Sequence, residues 1–515
     1  MQDTVRSANA IELNGLCKSF GAVKANQDID LVVRRGEILA LLGENGSGKT
    51  TLMNMLSGLY HPDAGTIVVN GKAAHIRSPQ DSMRLGIGMI HQHFKLVDVL
   101  SVWENIVMGT KSTRSKPEVL SAQIQAISDK FGLSIDPMRK IYSLSVSEKQ
   151  TVEILKVLYR GSNILILDEP TAVLTPQEIE KLFVILRKMK DEGCAVIIIT
   201  HKLNEVLAIS DRVSILHKGH CVATVETKES SAHQLTELMV GHSVDLSINR
   251  PVSQTMYPDL LRVMSLRVRN ADGINAVNNV SFSLNGGEIL GVAGVAGSGQ
   301  KELCETIAGL MAPSEGSITH AGTQIGGMSV REISERGIAL SFVPEDRLGM
   351  GLIGSMGMVD NMLLKSYQKQ KGFILRRKGA KIRSDHMVSR LSISTPSVYT
   401  PVRRLSGGNV QKVLLGREID AMPDVLITAY PVRGLDIHSS MTIYQLLNEQ
   451  KLSGAGVLFV GEDLDVLLEL CDRIMVMCGG RSMGIVNPKK VTKEQIGLMM
   501  TGYAMDSKEV GIEHA

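Results

Sequence analysis

Apolar residues along this chain fall into two kinds of pattern. Ile164-Leu165-Ile166-Leu167 and Ala195-Val196-Ile197-Ile198-Ile199 are short, β-branched and apolar at every position, which predicts strands buried on both faces of a parallel sheet. Glu37 to Leu42 is a similar run that enters a glycine turn, and Lys49 to Leu59 then follows helical spacing. That order predicts strand, loop, helix. A sheet of this kind presents its ligand site at the carboxyl ends of its strands. His93 to Arg160 is more polar and mostly helical in pattern, as an inserted helical lobe would be. The expected class is α/β.

The pattern occurs twice. Arg35-Gly36-Glu37-Ile38-Leu39 matches Gly286-Gly287-Glu288-Ile289-Leu290, and Gly43 matches Gly294, both 251 residues on. Leu144 and Leu405, Pro170 and Pro431, and Asp211-Arg212 and Asp472-Arg473 stand 261 apart, so the second copy holds about ten extra residues between these landmarks. Its lobe is expected over Asp346 to Ile419. The predicted organisation is a first domain over 1–242, a linker over 243–258, polar and containing Pro251 and Pro258, and a second domain over 259–515.

Composition narrows the classes. A chain of 515 residues suits two cores better than one. No stretch approaches the roughly 18–20 apolar residues of a membrane span, and Met1 to Leu13 lacks the apolar core of a signal peptide, so a cytosolic protein is expected. The six cysteines contain no Cys-x-x-Cys pair and imply no metal cage. With 56 Lys and Arg against 53 Asp and Glu, the net charge of +3 gives no sign of a nucleic-acid partner.

Chemistry concentrates at the strand ends. Gly43-Glu44-Asn45-Gly46-Ser47-Gly48-Lys49-Thr50 fits the phosphate-loop pattern G-x-x-x-x-G-K-[ST]. Its glycines let backbone N–H groups turn inward around phosphates at a helix N-terminus, Lys49 adds charge at the β and γ phosphates, and Thr50 offers a hydroxyl to Mg2+. Asp168 and Glu169 end a buried strand, where adjacent carboxylates are costly unless a cation or a proton-transfer role compensates. Asp168 suits the magnesium shell and Glu169 the base that polarises water. His201 follows another buried strand and could bond the γ-phosphate, though a strand-end histidine is more often structural. Gln92 could bring an amide to Mg2+ from a junction that can move.

The order phosphate loop, Gln92, Leu144-Ser145, Asp168-Glu169-Pro170-Thr171, His201 resembles the nucleotide-binding domains of ATP-binding-cassette (ABC) proteins, over nearly the whole chain in two copies. The resemblance implies two tandem P-loop NTPase domains paired head to tail, the Leu-Ser-Gly-Gly-Gln signature of one closing over ATP held by the other. Leu405-Ser406-Gly407-Gly408-Asn409 is close to that signature, whereas Leu144-Ser145-Val146-Ser147-Glu148 departs from it at both glycines and the glutamine. It also implies nucleotide contacts from Phe20, stacked on adenine, from Gly43, Asn45, Gly46, Ser47, Gly48, Lys49, Thr50, Thr51 and Gln92, and from Ser406, Gly407 and Gly408 across the pair. Thr50, Gln92 and Asp168 would be the metal ligands, Glu169 and His201 the catalytic groups, and ATP and Mg2+ the cofactors.

Losses are segregated. One composite site would join the intact loop, Asp168, Glu169 and His201 to the good signature and Asp436; the other would join Ala271, Gln300, Ala429, Tyr430 and Glu462 to the altered segment around Ser147 and to Thr175. Random decay would scatter losses over both, so one hydrolytic site per chain is expected. Thr171-Ala172-Val173-Leu174-Thr175-Pro176, Val343-Pro344-Glu345-Asp346-Arg347 and Leu405 to Lys412 resemble the tandem ATPases of simple-sugar and nucleoside importers, and Gly88 to Val97 the nucleoside branch with its basic-membrane-protein-type binding lipoprotein. Ser147 and Val432 stand where that group has glycine and threonine. The implied partners are integral-membrane permease subunits and, indirectly, an extracytoplasmic substrate-binding protein, with the chain peripheral on the cytoplasmic face of the inner membrane. A soluble tandem cassette acting on ribosomes is the alternative. The basic stretch Lys365 to Arg383 reads first as a solvated helical face, with anionic lipid or permease loops as the other reading.

Overall fold

Strands that are apolar at every position need cover on both faces, and the fold supplies it twice. The computed structural model describes residues 9–21, 23–91, 94–110, 116–172, 174–200, 202–241, 248–253, 257–270, 273–367, 370 and 374–503. It divides into two units, residues 1–245 and 246–515.

In the first unit a six-stranded sheet runs, edge to edge, through His220–Glu226, Arg212–His217, Ile38–Leu42, Ala195–Ile199, Ile164–Asp168 and Ile87–Ile90. All neighbours are parallel except the hairpin at the first edge. Alternation within each central strand builds two cores. Leu39, Leu41, Ile164, Ile166, Ala195, Ile197 and Ile199 face one, with Leu13, Val33 and Met53; Ile38, Leu165, Leu167, Val196 and Ile198 face the other, with Val152, Leu155 and Leu186.

The first core is closed by a four-stranded antiparallel sheet, ordered Val23–Arg34, Asn9–Phe20, Ala64–Val69, Lys72–Ala74. The second is closed by Pro176–Asp191 and by the lobe helices Val102–Val107, Pro117–Phe131 and Val146–Tyr159. The lobe helices Val102–Val107 and Val146–Tyr159 open with capping boxes, Ser101 with Glu104 and Ser145 with Glu148.

The second unit repeats this plan. Its larger sheet is ordered Leu340–Val343, Val425–Ala429, Gly456–Val460, Ile289–Gly294, Arg473–Cys478, Arg481–Val486, beside an antiparallel sheet of Asn275–Gly286, Tyr257–Arg269, Glu315–His320 and Thr323–Gln324. Its lobe carries Met358–Leu363, Lys378–Arg390 and Gly407–Asp420, and a π turn over Arg347–Gly351 precedes them.

Two segments behave differently from simple sequence expectation. Within the stretch read as linker, Ile248 packs against a second-unit core, Asn448 donates to the Asn249 carbonyl at 2.6 Å, and Arg250 donates to the Cys471 carbonyl at 2.7 Å. Arg250 thereby answers a carbonyl at the C-terminal end of the helix Leu464–Leu470. In the basic stretch, Lys365 pairs with Glu418, Arg377 with Asp360, Lys381 with Asp385 and Arg383 with Asp420, at 2.6–3.0 Å. Most of its described charge is therefore answered within the unit, and this weakens the lipid reading.

Candidate functional site: a phosphate loop beside a carboxylate pair

The strand Ile38–Leu42 delivers the chain into its glycine loop, and the helix Lys49–Leu56 begins from Gly48 at φ 100°, ψ 4°. Glycine is required there by the left-handed backbone and by space, since a Cβ would strike the Ala25 carbonyl and stand 2.6 Å from Asn26 Nδ2. The loop closes on itself: the Ser47 N–H donates to the Glu44 carbonyl at 3.1 Å, and the Gly219 N–H donates to the Ser47 carbonyl at 3.1 Å. Lys49 Nζ donates to the carbonyls of Gly43 at 2.6 Å and Glu44 at 2.9 Å. Only 7% of Lys49 is exposed. Burial lowers its pKa, while Glu169, Asp168 and Glu44 pull it back up.

Asp168 is the last residue of its strand, so its carboxylate leaves the core at the sheet's edge. Burial first, and the adjacent Glu169 second, raise its pKa to about 6 against the opposing pull of Lys49. Glu169 adopts φ 47° with its N–H donating to the Ile199 carbonyl at 2.9 Å. A left-handed non-glycine residue costs about 1–2 kcal/mol, and the turn takes its side chain out of the strand's alternation. The following residues are gripped from two sides. Gln150 Nε2 donates to the Pro170 carbonyl at 2.9 Å, and Thr171 Oγ1 donates to Glu205 at 2.6 Å.

Around the loop, Asn45, Gly46 and Thr50 are exposed and Thr51 is half-buried. Phe20 is 44% exposed and meets Tyr60 edge-to-face at 5.2 Å, with Lys18 Nζ 5.5 Å from its ring centre. Gln92, His201 and, in the second copy, Ala271 lie outside the described residues. The remaining groups suit a nucleotide triphosphate with a divalent cation. The buried Ser47 hydroxyl has no hydrogen-bond partner, a donor left for a ligand oxygen, and the two strand-end carboxylates offer a cation relief of their mutual repulsion.

The second copy keeps the cradle and loses the charge. Gly299 caps Gln300–Ile307 at φ 93°, ψ 5°, the Ser298 N–H donates to the Val295 carbonyl at 3.1 Å, and the Gly480 N–H donates to the Ser298 carbonyl at 3.2 Å. Gln300 stands where Lys49 does and spends its amide on the Val295 carbonyl at 3.2 Å. Tyr430 stands at Glu169's position with the same turn, φ 50°, its N–H donating to the Val460 carbonyl at 2.9 Å. Burial raises its phenol pKa far above the usual value. Sequence reasoning missed what fills the remaining space: Arg433 pairs with Glu345 and, at 3.0 Å, with Glu462, beneath the Tyr430 ring. Two carboxylates and an arginine at strand-end positions were the available signal.

The two signature segments differ physically. Ser406 caps Gly407–Asp420, and a Cβ on Gly408 would come within 2.7 Å of Ser439 Oγ and 3.2 Å of Asp436 Oδ2, so close approach requires glycine. Ser145 and Glu148 instead spend themselves on a capping box, which binds the helix end to itself. The ABC transporter family model matches residues 26–172 and 277–431, more than half of the chain and once in each unit.

The chain belongs to the ABC transporter family. Both cassettes continue along nearly full-length relatives. Identity is 42% over 507 residues to the guanosine import ATP-binding protein NupO of Bacillus subtilis, covering 97% of this chain and 98% of that protein. It is 40% to the nucleoside import ATP-binding protein NupA of Lactococcus lactis, covering 96% and 98%, and 39% to the glucose import ATP-binding protein TsgD13 of Haloferax volcanii, covering 96% of each.

The raised Asp168 pKa has a consequence for the cassette without nucleotide. The folded state disfavours the ionised carboxylate, so stability is lost as pH rises from 3.8 toward about 6 and stays lower above it. Asp168→Asn should therefore stabilise the protein at pH 8, by at most about 3 kcal/mol, and give no gain at pH 4. Urea unfolding in EDTA at both values checks this; a variant no more stable than wild type at pH 8 would contradict it.

Proposed function

We propose that this chain is the ATP-hydrolysing, energy-coupling subunit of a membrane importer, with a nucleoside as first choice of cargo and a simple sugar as second. The observation that carries the reading is the intact phosphate loop and carboxylate pair of the first cassette, set in a chain 42% identical along its length to a guanosine import ATP-binding protein. Similarity to import proteins favours this over a ribosome-bound cassette protein. Among the described residues no helix is long and apolar enough to cross a membrane. In this reading integral-membrane permease subunits bind the chain at the cytoplasmic face, and an extracytoplasmic binding protein delivers cargo to them.

In the first cassette the loop N–H groups and Lys49 hold the β and γ phosphates, Asn45, Ser47 and Thr51 complete the cradle, and Phe20 packs on the adenine. Thr50, Gln92 and Asp168 would hold Mg2+, which would supply positive charge to offset that of the phosphates. Glu169 accepts hydrogen-bonding and proton load from the attacking water. His201 contacts the γ-phosphate. Lys49 spends two of its three N–H donors on the Gly43 and Glu44 carbonyls and keeps a third for a phosphate oxygen, a charged acceptor that favours binding. Ser406, Gly407 and Gly408 close over this ATP head to tail, and the second cassette does not hydrolyse.

Three outcomes are expected. Lys49→Ala should abolish ATP binding at the first cassette, and Glu169→Gln should retain ATP while losing about 10²–10³-fold or more in turnover; Gln300→Ala and Tyr430→Phe should be much milder. Steady-state ATPase on the four variants decides it, and equal losses in both cassettes would sink the asymmetric reading. Cysteines at Ser47 and Ser406, in a chain freed of its six native cysteines, should crosslink within one chain when ATP is present and Glu169→Gln is included; crosslinks formed only between chains would overturn head-to-tail pairing. Finally, deleting the gene should abolish uptake of labelled nucleosides and spare unrelated solutes, while loss of ribose or galactose uptake with nucleoside uptake intact would move the cargo to the sugars.

A further inference from the structure

The loop that leaves the strand Ile87–Ile90 enters the helical lobe through Lys95 and Val97, and both are held by lobe side chains. Glu153, only 4% exposed, accepts the Lys95 N–H at 2.7 Å, and Lys156 donates to the Lys95 carbonyl at 3.1 Å while pairing with Glu153 at 2.7 Å. Asn105 does the same for Val97, accepting its N–H at 2.8 Å and donating to its carbonyl at 3.2 Å. Beyond these anchors Val99 is 72% exposed.

The helix Val146–Tyr159 that carries Glu153 and Lys156 also carries Gln150, one turn earlier, whose amide holds the Pro170 carbonyl next to Glu169. A continuous set of directed contacts therefore runs from the loop to the catalytic carboxylate: Lys95 backbone, Glu153, helix, Gln150, Pro170.

The second cassette has the same frame without the same contacts. Asn361 holds Ile353 as Asn105 holds Val97, at 2.9 and 3.2 Å. At Glu153's position it has Leu414, and at Lys95's position Gly351, so close that a Cβ on Gly351 would come within 2.7 Å of Leu414 Cδ2. The Gly351 N–H is satisfied inside the π turn by the Asp346 carbonyl at 3.1 Å. Gln411, the counterpart of Gln150, is 1% exposed and neither of its amide atoms has a partner. Both ends of the path are thus absent in the cassette that lacks Lys49 and Glu169.

Burying a carboxylate is costly, and the second cassette demonstrates that an apolar contact fills the same place. A buried ion pair is weak evidence for stability, and its better use is to fix position. We propose that Glu153, with Lys156, and Gln150 are positioning residues that tie the loop after Ile87–Ile90 to Glu169, so that a membrane subunit engaging the exposed part of that loop changes the hydrolysis rate. This rests on the reading of the chain as an importer subunit. The side chains act by position alone and do not touch nucleotide.

The test is a double-mutant cycle on the full transporter, chain plus its co-purified membrane subunits, reconstituted in liposomes and compared with the chain alone. Glu153→Leu, which copies the second cassette, and Gln150→Met should each lower the stimulation of ATPase by the membrane subunits about fivefold or more. For Glu153→Leu, basal turnover and KM for ATP should stay within about twofold of wild type, well below that coupling range. The double variant should be no worse than the poorer single one, and Glu153→Gln, which keeps an acceptor for the Lys95 N–H, should recover most of the stimulation. Hydrogen exchange at the Lys95 amide in the chain alone should accelerate in Glu153→Leu and not in Glu153→Gln. Stimulation of Glu153→Leu equal to wild type, or losses that multiply in the double variant, would overturn the path while leaving the importer reading intact. A wild-type chain that its membrane subunits do not stimulate would overturn the importer reading and the path together.

Discussion

A sheet that is apolar on both faces leaves polar chemistry one exit, its carboxyl edge. In the first unit the strands Ile38–Leu42, Ala195–Ile199 and Ile164–Asp168 have no polar side chain before their ends, and there Asp168 and Glu169 emerge beside Lys49. Each of these groups loses water to do so, which is why the carboxyl of Asp168 is driven up and the ammonium of Lys49 down, and why each acts on the other. The cradle, the strained turn at Glu169 and the grip of Gln150 on Pro170 all serve to keep this cluster at one place. A ligand carrying both phosphate and a divalent cation relieves every member at once.

The duplicated unit separates what the backbone needs from what the chemistry needs. Loop hydrogen bonds agree between the two copies to about 0.1 Å, and Tyr430 retains the left-handed turn of Glu169 although a phenol gains nothing from it. Geometry is held by glycine and by packing of the antiparallel sheet under the loop, so it survives replacement of the charged side chains. Charge is held by single residues and disappears by single changes. Arg433, Glu345 and Glu462 then occupy the strand ends with a self-contained ion-pair network.

Legibility in the sequence followed the same division. The buried parallel strands, the loop and the duplication were readable because a period of one apolar residue per position and a glycine-rich motif are local signals. The antiparallel sheets were not read, since Asn9–Phe20 and Val23–Arg34 mix polar and apolar residues through register shifts that blur alternation. Lys49, Asp168 and Glu169 were legible as types at fixed spacing, and the structure places their charges in mutual reach. What stayed hidden depends on contacts distant in sequence: Glu153 on Lys95, Gln150 on Pro170, Arg433 between two glutamates. None of these has a spacing rule.

The Arg433 network also makes the difference in charge between the two copies hard to reverse. A carboxylate regained at position 430 would be the third around one guanidinium, beside Glu345 and Glu462, with a neutral amide at Gln300 where an ammonium is required. Restoring that ammonium first would strand it without Asp168's counterpart, because Ala429 holds the place. Every single step back passes through an unbalanced charge in a half-buried site. The asymmetry of the two halves is therefore ratcheted by electrostatics, and drift alone will not make them alike again.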